Sequence, residues 1–451
     1  MRIGSARLGA LILIALATAV PLACGSCGDD AAEGAGDAAS ADGAAESGAD
    51  GATGTDAAVD AGDAAPDARP PLAFTHADLN HVLACGGSTA IGSLGSPPVS
   101  LTQPYDNKMF STGVMAGSEG LDTLVPLTEG DTIDNSEQPP VETMSSGFAN
   151  LATKLAREDL LFGLTPPRNS HDIIVSLAGT SAVYSDLKKP YGHYAALMAQ
   201  ISAAKALMDK AGKSYVVRAF NVTHGESDFI AGNTEYAANL AEWQQDIESG
   251  AKAITGQKEP VPLFQTQADW IANTLVLQQL AAHTAYPGKV ILVGPQYPAP
   301  RGSDNSHFTN EGYRHIGEYY AKAYKRVVLE GKTWEPLRPR AVTRAGNVLT
   351  VRFYVPVPPL VIDTTRITDP GSYGFQYRDD GASPPEIVSV ALSGADSVAI
   401  TFSAPPNPGA RLVYGLAWIP PRGNIRDSDA TPSRHGYPLF NWAVHFDEAV
   451  P

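Results

Sequence analysis

Five apolar runs recur along the middle of the chain: "HVLACGG" (81–87), "DIIVSLAG" (172–179), "SYVVRAFNVTHG" (214–225), "VPLFQTQ" (261–267) and "KVILVGPQ" (289–296). Each is apolar on both faces near its centre, so both faces must be covered, as in a parallel sheet. Helical spacing fills the gaps. Leu197, Ile201, Ala204, Leu207 and Met208 recur at helical intervals and stop at Gly212. Tyr236, Leu240, Trp243 and Ile247 follow "GNT", where Asn233 or Thr234 can cap, and Trp270, Ile271, Leu275 and Leu277 mark a further helix. A last one runs from Gly312 to Glu330, with Tyr313, Ile316, Tyr320 and Tyr324 on one side. Strand–helix alternation calls for right-handed crossovers, and so predicts an α/β fold: a doubly wound, five-stranded parallel sheet with helices on both faces. In such sheets the chemistry collects outside the carboxyl ends of the strands.

From "WEPLRP" (334–339) onward the pattern changes to short, often alternating runs separated by Pro, Gly and Asp: "NVLTVRFYVPVPPLVI", "YGFQYRD", "EIVSVALSG", "SVAITFS" and "RLVYGLAWI". These predict a C-terminal antiparallel β-sandwich over 334–451, with the boundary near residue 333. The closing "YPLFNWAVHFDEAV" reads as a last strand with Trp442, Val444 and Phe446 on one face. Tyr354, Tyr373, Tyr377, Trp418, Phe440 and Trp442 are expected to fill the sandwich core, leaving this part a support without its own chemistry.

The N-terminal 70 residues stand apart. Arg2 and Arg7 precede an apolar stretch, Leu8 to Val20, that is shorter than a membrane span, so residues 1–24 read as an export signal. Its end, "PLAC", resembles a bacterial lipoprotein box with Pro21 in a normally aliphatic position, which makes Cys24 the candidate lipid anchor. Residues 25–70 are almost entirely Ala, Gly, Asp, Glu, Ser and Thr and lack the apolar side chains that ordering requires, so they are expected to form a tether reaching about 40 Å. Eleven acids lie between Asp29 and Asp67, with Arg69 the one base of the tether, so most of the net charge of −16 belongs to it. A mildly acidic folded part disfavours nucleic acid. Cys24 and Cys27 form a C-x-x-C without the strand and helix that tune a redox thiolate, and Cys85 reads as a buried strand residue.

Where the first run ends, "LACGGSTAIGSLGSP" presents a hydroxyl, Ser88, among small residues, with Gly86 and Gly87 able to turn the backbone and open its amides to a substrate oxygen. Just after the last parallel run, Asp304 and His307 lie three apart in "SDNSHFTNEGY" (303–313). An acyl-transfer serine needs a neutral imidazole to take its proton, and that ring needs a carboxylate to fix its tautomer. The bland alternative is a tight turn and a capping aspartate. A third segment, "THGESDF" (223–229), brings His224, Glu226 and Asp228 to the same edge; Glu226 can equally bind loop amides and Asp228 can cap. The other histidines are dispersed and no H-E-x-x-H occurs, so no metal site is expected. The G-x-S-x-G elbow of α/β-hydrolases is also missing, since Ala90 stands two after Ser88.

The ordered set "GGSTAIGSLGSP", "NKMFSTGV" (107–114), "AGTSAVYSDL" (178–187), "THGESDF" and "DNSHFTNEGY" resembles the SGNH (GDSL-type) hydrolases, in particular the sialate O-acetylesterase-like carbohydrate esterases, over roughly residues 75–330. The resemblance implies a flavodoxin-like three-layer α/β/α catalytic domain over 71–333. It implies Ser88 as nucleophile, His307 as base, Asp304 as the orienting acid, and no cofactor. It also implies an oxyanion hole from Ser88, Gly113 and His224, with Glu226 and Asp228 supporting. Gly87 and His224 stand where these relatives have glutamines, so either His224 would donate through a ring N–H or the hole would be built otherwise. The expected substrate is an acetylated carbohydrate or another small ester, and the expected membrane contact is through the lipid anchor alone. The alternatives are a glycan-binding surface lipoprotein without turnover, and a lipid or short-chain acyl esterase.

Overall fold

The computed structural model describes residues 75–133, 139–158, 171–269, 274–417 and 422–451. These belong to one compact unit, Ala65–Pro451. The export signal, Cys24 and Cys27 lie outside the described residues, as do Trp270, Ile271 and Trp418.

The first part of this unit alternates strands and helices. Its elements are β1 (Leu79–Gly86), β2 (Lys108–Phe110), β3 (Leu124–Pro126), α1 (Met144–Glu158), β4 (Ile173–Leu177), α2 (Tyr184–Leu187), α3 (Gly192–Lys210), β5 (Tyr215–Thr223), α4 (Glu226–Ile230), α5 (Tyr236–Thr255), β6 (Leu263–Gln267), α6 (Leu275–Ala285), β7 (Val290–Pro295) and α7 (Asn310–Tyr324). One mixed sheet has the order β3-β2-β4-β1-β5-β6-β7. It is parallel from β2 to β7, and β3 runs antiparallel at the edge. The five expected strands are its interior and right-hand side; the sheet has seven, because β2 and β3 extend it. Each of the two extra strands is three residues long.

Both sheet faces are covered. Val82, Val175 and Phe264 pack under α1 and α7, through Phe148, Ile316 and Tyr320. Leu83, Phe220 and Leu263 pack under α3, α5 and α6, through Ile201, Trp243 and Ala282. Cys85 is buried in this second layer, and burial pushes its thiol well above the ordinary range. The helix α1 is not among those expected from the sequence; its buried face is mostly Ser, Gly, Ala and Thr. Those small residues let it approach α7 closely, and a Cβ on Gly147 would collide with the Arg314 carbonyl.

The remaining residues form antiparallel sheets. The strands are β8 (Arg338–Ala345), β9 (Val348–Tyr354), β10 (Val361–Ile362), β11 (Phe375–Arg378), β12 (Ile387–Leu392), β13 (Ser397–Phe402), β14 (Arg411–Tyr414), β15 (Ile425–Arg426) and β16 (Phe446–Ala449). A four-stranded sheet, β12-β13-β9-β8, faces a three-stranded one, β11-β14-β16, across Val351, Phe353, Ile400, Phe375, Leu412 and Phe446. A third, two-stranded pair joins β10 to β15. Two expectations need correction here. The last strand is only Phe446–Ala449, because Trp442 turns aside to bridge Arg426. Trp442 and Phe440 pack in the α1/α7 layer instead of the sandwich core, and Tyr354 is exposed beneath the Arg338 guanidinium, 4.2 Å from its ring centre.

Candidate active site

The strand β1 ends at Gly86, whose φ of +153° and close approach to the Thr223 carbonyl leave no room for a Cβ. Gly87 N–H then donates to that same carbonyl at 3.1 Å, joining the ends of β1 and β5. The chain turns at once. Ala90 and Ile91 N–H donate back to the Gly87 carbonyl, and Ser93 N–H to the Ser88 carbonyl, while Ala90 and Ile91 anchor the turn in the core. Ser88 is thereby lifted, half-buried, at the edge where the strand order reverses around β1.

The second loop leaves β7 and folds on itself before α7. Residues 301 and 308 pair as an antiparallel bridge, Gly302 N–H donates to the His307 carbonyl at 2.8 Å, and Asn305 takes a left-handed φ of 54°, which asparagine tolerates. Asp304 Oδ1 accepts the N–H groups of Ser306 and His307, both at 3.0 Å. Its Oδ2 accepts His307 Nδ1–H at 2.7 Å, and His307 Nε2 lies 2.8 Å from Ser88 Oγ. Partial burial works to raise the Asp304 carboxyl. The hydrogen bonds from the His307 ring and from the two backbone amides outweigh it, so the group sits below its ordinary value. An ionised Asp304 holds the proton on Nδ1 and leaves the Nε2 lone pair facing the serine hydroxyl.

The chain matches no protein-family model, and no curated protein matches it. Solved structures that it resembles include a carbohydrate acetylesterase from Xanthomonas citri, at 14% identity over 82% of this chain and 80% of that one, TM-score 0.48. They also include a protein of Arabidopsis thaliana, at 14% identity over 55% of this chain and 98% of that one, TM-score 0.42. A carbohydrate acetylesterase from Sinorhizobium meliloti resembles it at 11% identity, over 54% and 97% of the two chains, TM-score 0.29.

Two expected oxyanion donors are placed otherwise. Gly113 is buried, and its N–H donates to the Phe110 carbonyl at 2.9 Å within a turn. The His224 ring is buried with both nitrogens engaged: Nε2 is 2.9 Å from the Ala182 carbonyl and Nδ1 is 2.8 Å from Tyr236 Oη. A carbonyl can only accept, so Nε2 carries a proton that is spent on Ala182, and Nδ1 is taken up by the Tyr236 hydroxyl. The ring therefore braces the loops after β4 and β5 and has no N–H to offer a substrate. Asp228, also buried, accepts the Tyr184 N–H at 2.7 Å and the Asn233 side-chain amide at 2.5 Å, in the same bracing role. Glu226 is half-buried at the start of α4, where its charge acts on Arg301 in the His307 loop.

A different glycine lies beside the start of the serine turn. Gly179 follows β4 and lies against Gly86, close enough that a Cβ would come 2.6 Å from the Gly86 carbonyl oxygen. Among the described residues, the N–H groups of Ser88 and Gly179 have no protein acceptor. The signal available in the sequence was the position of "AGT" directly after the second parallel run. A cavity of about 420 Å³ lies elsewhere, among Pro260, Pro262 and Gly288 before β6 and β7 and Trp334, at the opposite end of the strands from Ser88.

Proposed function

We propose that the protein is an exported serine ester hydrolase that removes acetyl groups from a carbohydrate. The observation that carries the reading is the His307 ring, 2.8 Å from the Ser88 hydroxyl oxygen on one nitrogen and 2.7 Å from Asp304 on the other. Hydrolysis then runs in two halves. Ser88 Oγ attacks the acetyl carbonyl carbon while its proton passes to His307 Nε2. The oxyanion is held by the N–H groups of Ser88 and Gly179, each such donor contributing on the order of 10²–10³ in rate. The intermediate collapses to acetyl-Ser88, and the sugar oxygen leaves with the proton from Nε2. A water attacks the acetyl group, giving its proton to the same nitrogen, and acetate departs as Ser88 recovers its hydroxyl proton.

The carbohydrate ester as substrate is supported by the ordered set of sequence blocks around Ser88, Thr223–Phe229 and Asp304–His307. Export and lipidation at Cys24 are supported by the N-terminal segment, and palmitate labelling lost in Cys24→Ser is the check. The test of the activity is hydrolysis of p-nitrophenyl acetate by the full chain against Ser88→Ala, followed by acetate release from a panel of acetylated glycans. Equal rates for parent and Ser88→Ala would end the proposal. A preference for longer acyl chains would redirect it to lipids.

A further inference from the structure

Arg301 lies in the loop after β7, three residues before Asp304, with its side chain 10% exposed. Nη1 donates to the Ser306 carbonyl inside the turn. Nη2 donates to Asp269 Oδ1 and, at 3.4 Å, lies near Gln296 Oε1. The guanidinium also sits over the Phe308 ring, 4.6 Å from its centre, and Phe308 is fully buried. One planar cation thus grips the residue before His307 by a hydrogen bond and the residue after it by its face. Asp269, 4% exposed, holds the other end, and its own carbonyl accepts from Arg422 Nη2 at 2.6 Å. Arg422 lies in the loop before β15 and is itself buried.

The consequence is geometric. Asp304 fixes which way the His307 ring turns, but its own hydrogen bonds all stay within residues 304–307. They cannot fix how far that turn stands from Ser88, which lies on a different loop. Arg301 ties the turn to Asp269 at the end of β6, and so to the sheet on which β1 presents Ser88.

We propose that Arg301 is a positioning residue for the ester hydrolysis of the preceding section, on which this inference rests: it sets the distance between His307 and Ser88 by clamping Ser306 and Phe308 to Asp269, which Arg422 braces from the loop before β15. The test compares the full-length parent with Arg301→Lys and Arg301→Ala on p-nitrophenyl acetate. Lysine keeps the charge and loses the fork, so it cannot hold Ser306 and Asp269 together. The expected result in both variants is a kcat about 10²-fold lower with KM unchanged, the size of effect that a misplacement near 1 Å produces. Guanidinium chloride at low, non-denaturing concentration restores part of the kcat of Arg301→Ala and none of that of Ser88→Ala. A readout that does not need turnover is the strongly deshielded proton of the His307–Asp304 hydrogen bond, sharp in the parent by proton NMR and broadened in both variants. A parent without esterase activity whose deshielded proton is still lost in Arg301→Lys would refute the hydrolase and uphold the clamp. Parent-like kcat in folded Arg301→Lys, or a variant proton signal identical to the parent's, overturns the clamp. If Arg301→Ala does not fold, Arg301→Lys decides alone.

Discussion

The hydroxyl of Tyr313 donates to the carbonyl oxygen of Ser93 at 2.7 Å, joining two residues 220 positions apart. Tyr313 belongs to α7, which begins three residues after His307, and Ser93 belongs to the turn that follows Ser88. The same helix reaches the same loop a second time, through the Asn310 side-chain amide and the Pro97 carbonyl at 2.7 Å. Gly95 lies between these two links, where a Cβ would press against the Tyr313 ring. The helix behind the histidine therefore holds the loop that presents the serine.

Tyr313→Phe removes that hydroxyl and leaves the buried Ser93 carbonyl without its donor. Loss of a buried partner costs about 1–3 kcal/mol, which denaturant unfolding should detect. Because the loosened carbonyl sits five residues after Ser88, kcat for p-nitrophenyl acetate should fall as well, with little change in KM. A variant with parental kcat and reduced stability would show that the link serves folding alone.

Asp304→Asn keeps the shape of the side chain and removes its charge. The neutral amide no longer demands a proton on Nδ1, so the ring can present Nε2–H to Ser88 and lose its role as acceptor. The expected fall in kcat is on the order of 10⁴. In the parent, the carboxyl sits below its ordinary value because the hydrogen bonds of the turn favour its charged form over partial burial. Its contribution is accordingly complete above the ordinary carboxylate range and is lost as pH falls below it. Circular dichroism paired with kinetics should show the Asn variant folded and nearly inactive.

The parallel-dominated sheet and the antiparallel remainder were legible because their strands carry long runs with clear periods. Ser88, Asp304 and His307 could be picked out because each stands where such a run gives way to small and polar residues, and the structure brings the three side chains within hydrogen-bonding distance. What could not be read has local causes. The strands β2 and β3 are too short to show any period, and β8, "RPRAVTRA", is mostly exposed and polar, so it looks like a connection. The role of His224 depends on partners outside its own segment. Nothing in "THGESDF" tells that Tyr236 and the Ala182 carbonyl will close on the ring.

His224→Gln tests that correction directly, since it restores the residue type of the sequences that this segment resembles. If His224 were an oxyanion donor, glutamine would keep or raise kcat. In the structure the ring holds Tyr236 and Ala182 and stacks on the Tyr236 ring, with centroids 5.8 Å apart. Glutamine cannot reproduce this, so the variant should lose about 1–3 kcal/mol of stability and gain no activity. A kcat above the parent's, with unchanged unfolding, would contradict the bracing role.

The buried histidines away from the site oppose acid. Burial pushes His81, His171, His315 and His445 each down to about 3, from an ordinary value of 6.5. His81 shows why the neutral ring is built in: it lies 2.6 Å from Tyr215 Oη and 2.8 Å from Ser176 Oγ, with no carboxylate among these partners to favour a charge. Between pH 6.5 and 3 the unfolded chain binds protons at these positions and the folded chain does not, so stability is complete above 6.5 and is lost as pH falls through that window. Each such group contributes a slope approaching 1.4 kcal/mol per pH unit. The four histidines should therefore pull the unfolding free energy down between pH 6 and 4, opposed by the Glu129 carboxyl, which burial and the neighbouring Glu142 raise well above its ordinary value. His81→Gln, which does not titrate there, should lower stability at neutral pH and make that drop shallower by close to one proton. A slope identical to the parent's would mean that His81 is charged in the folded protein.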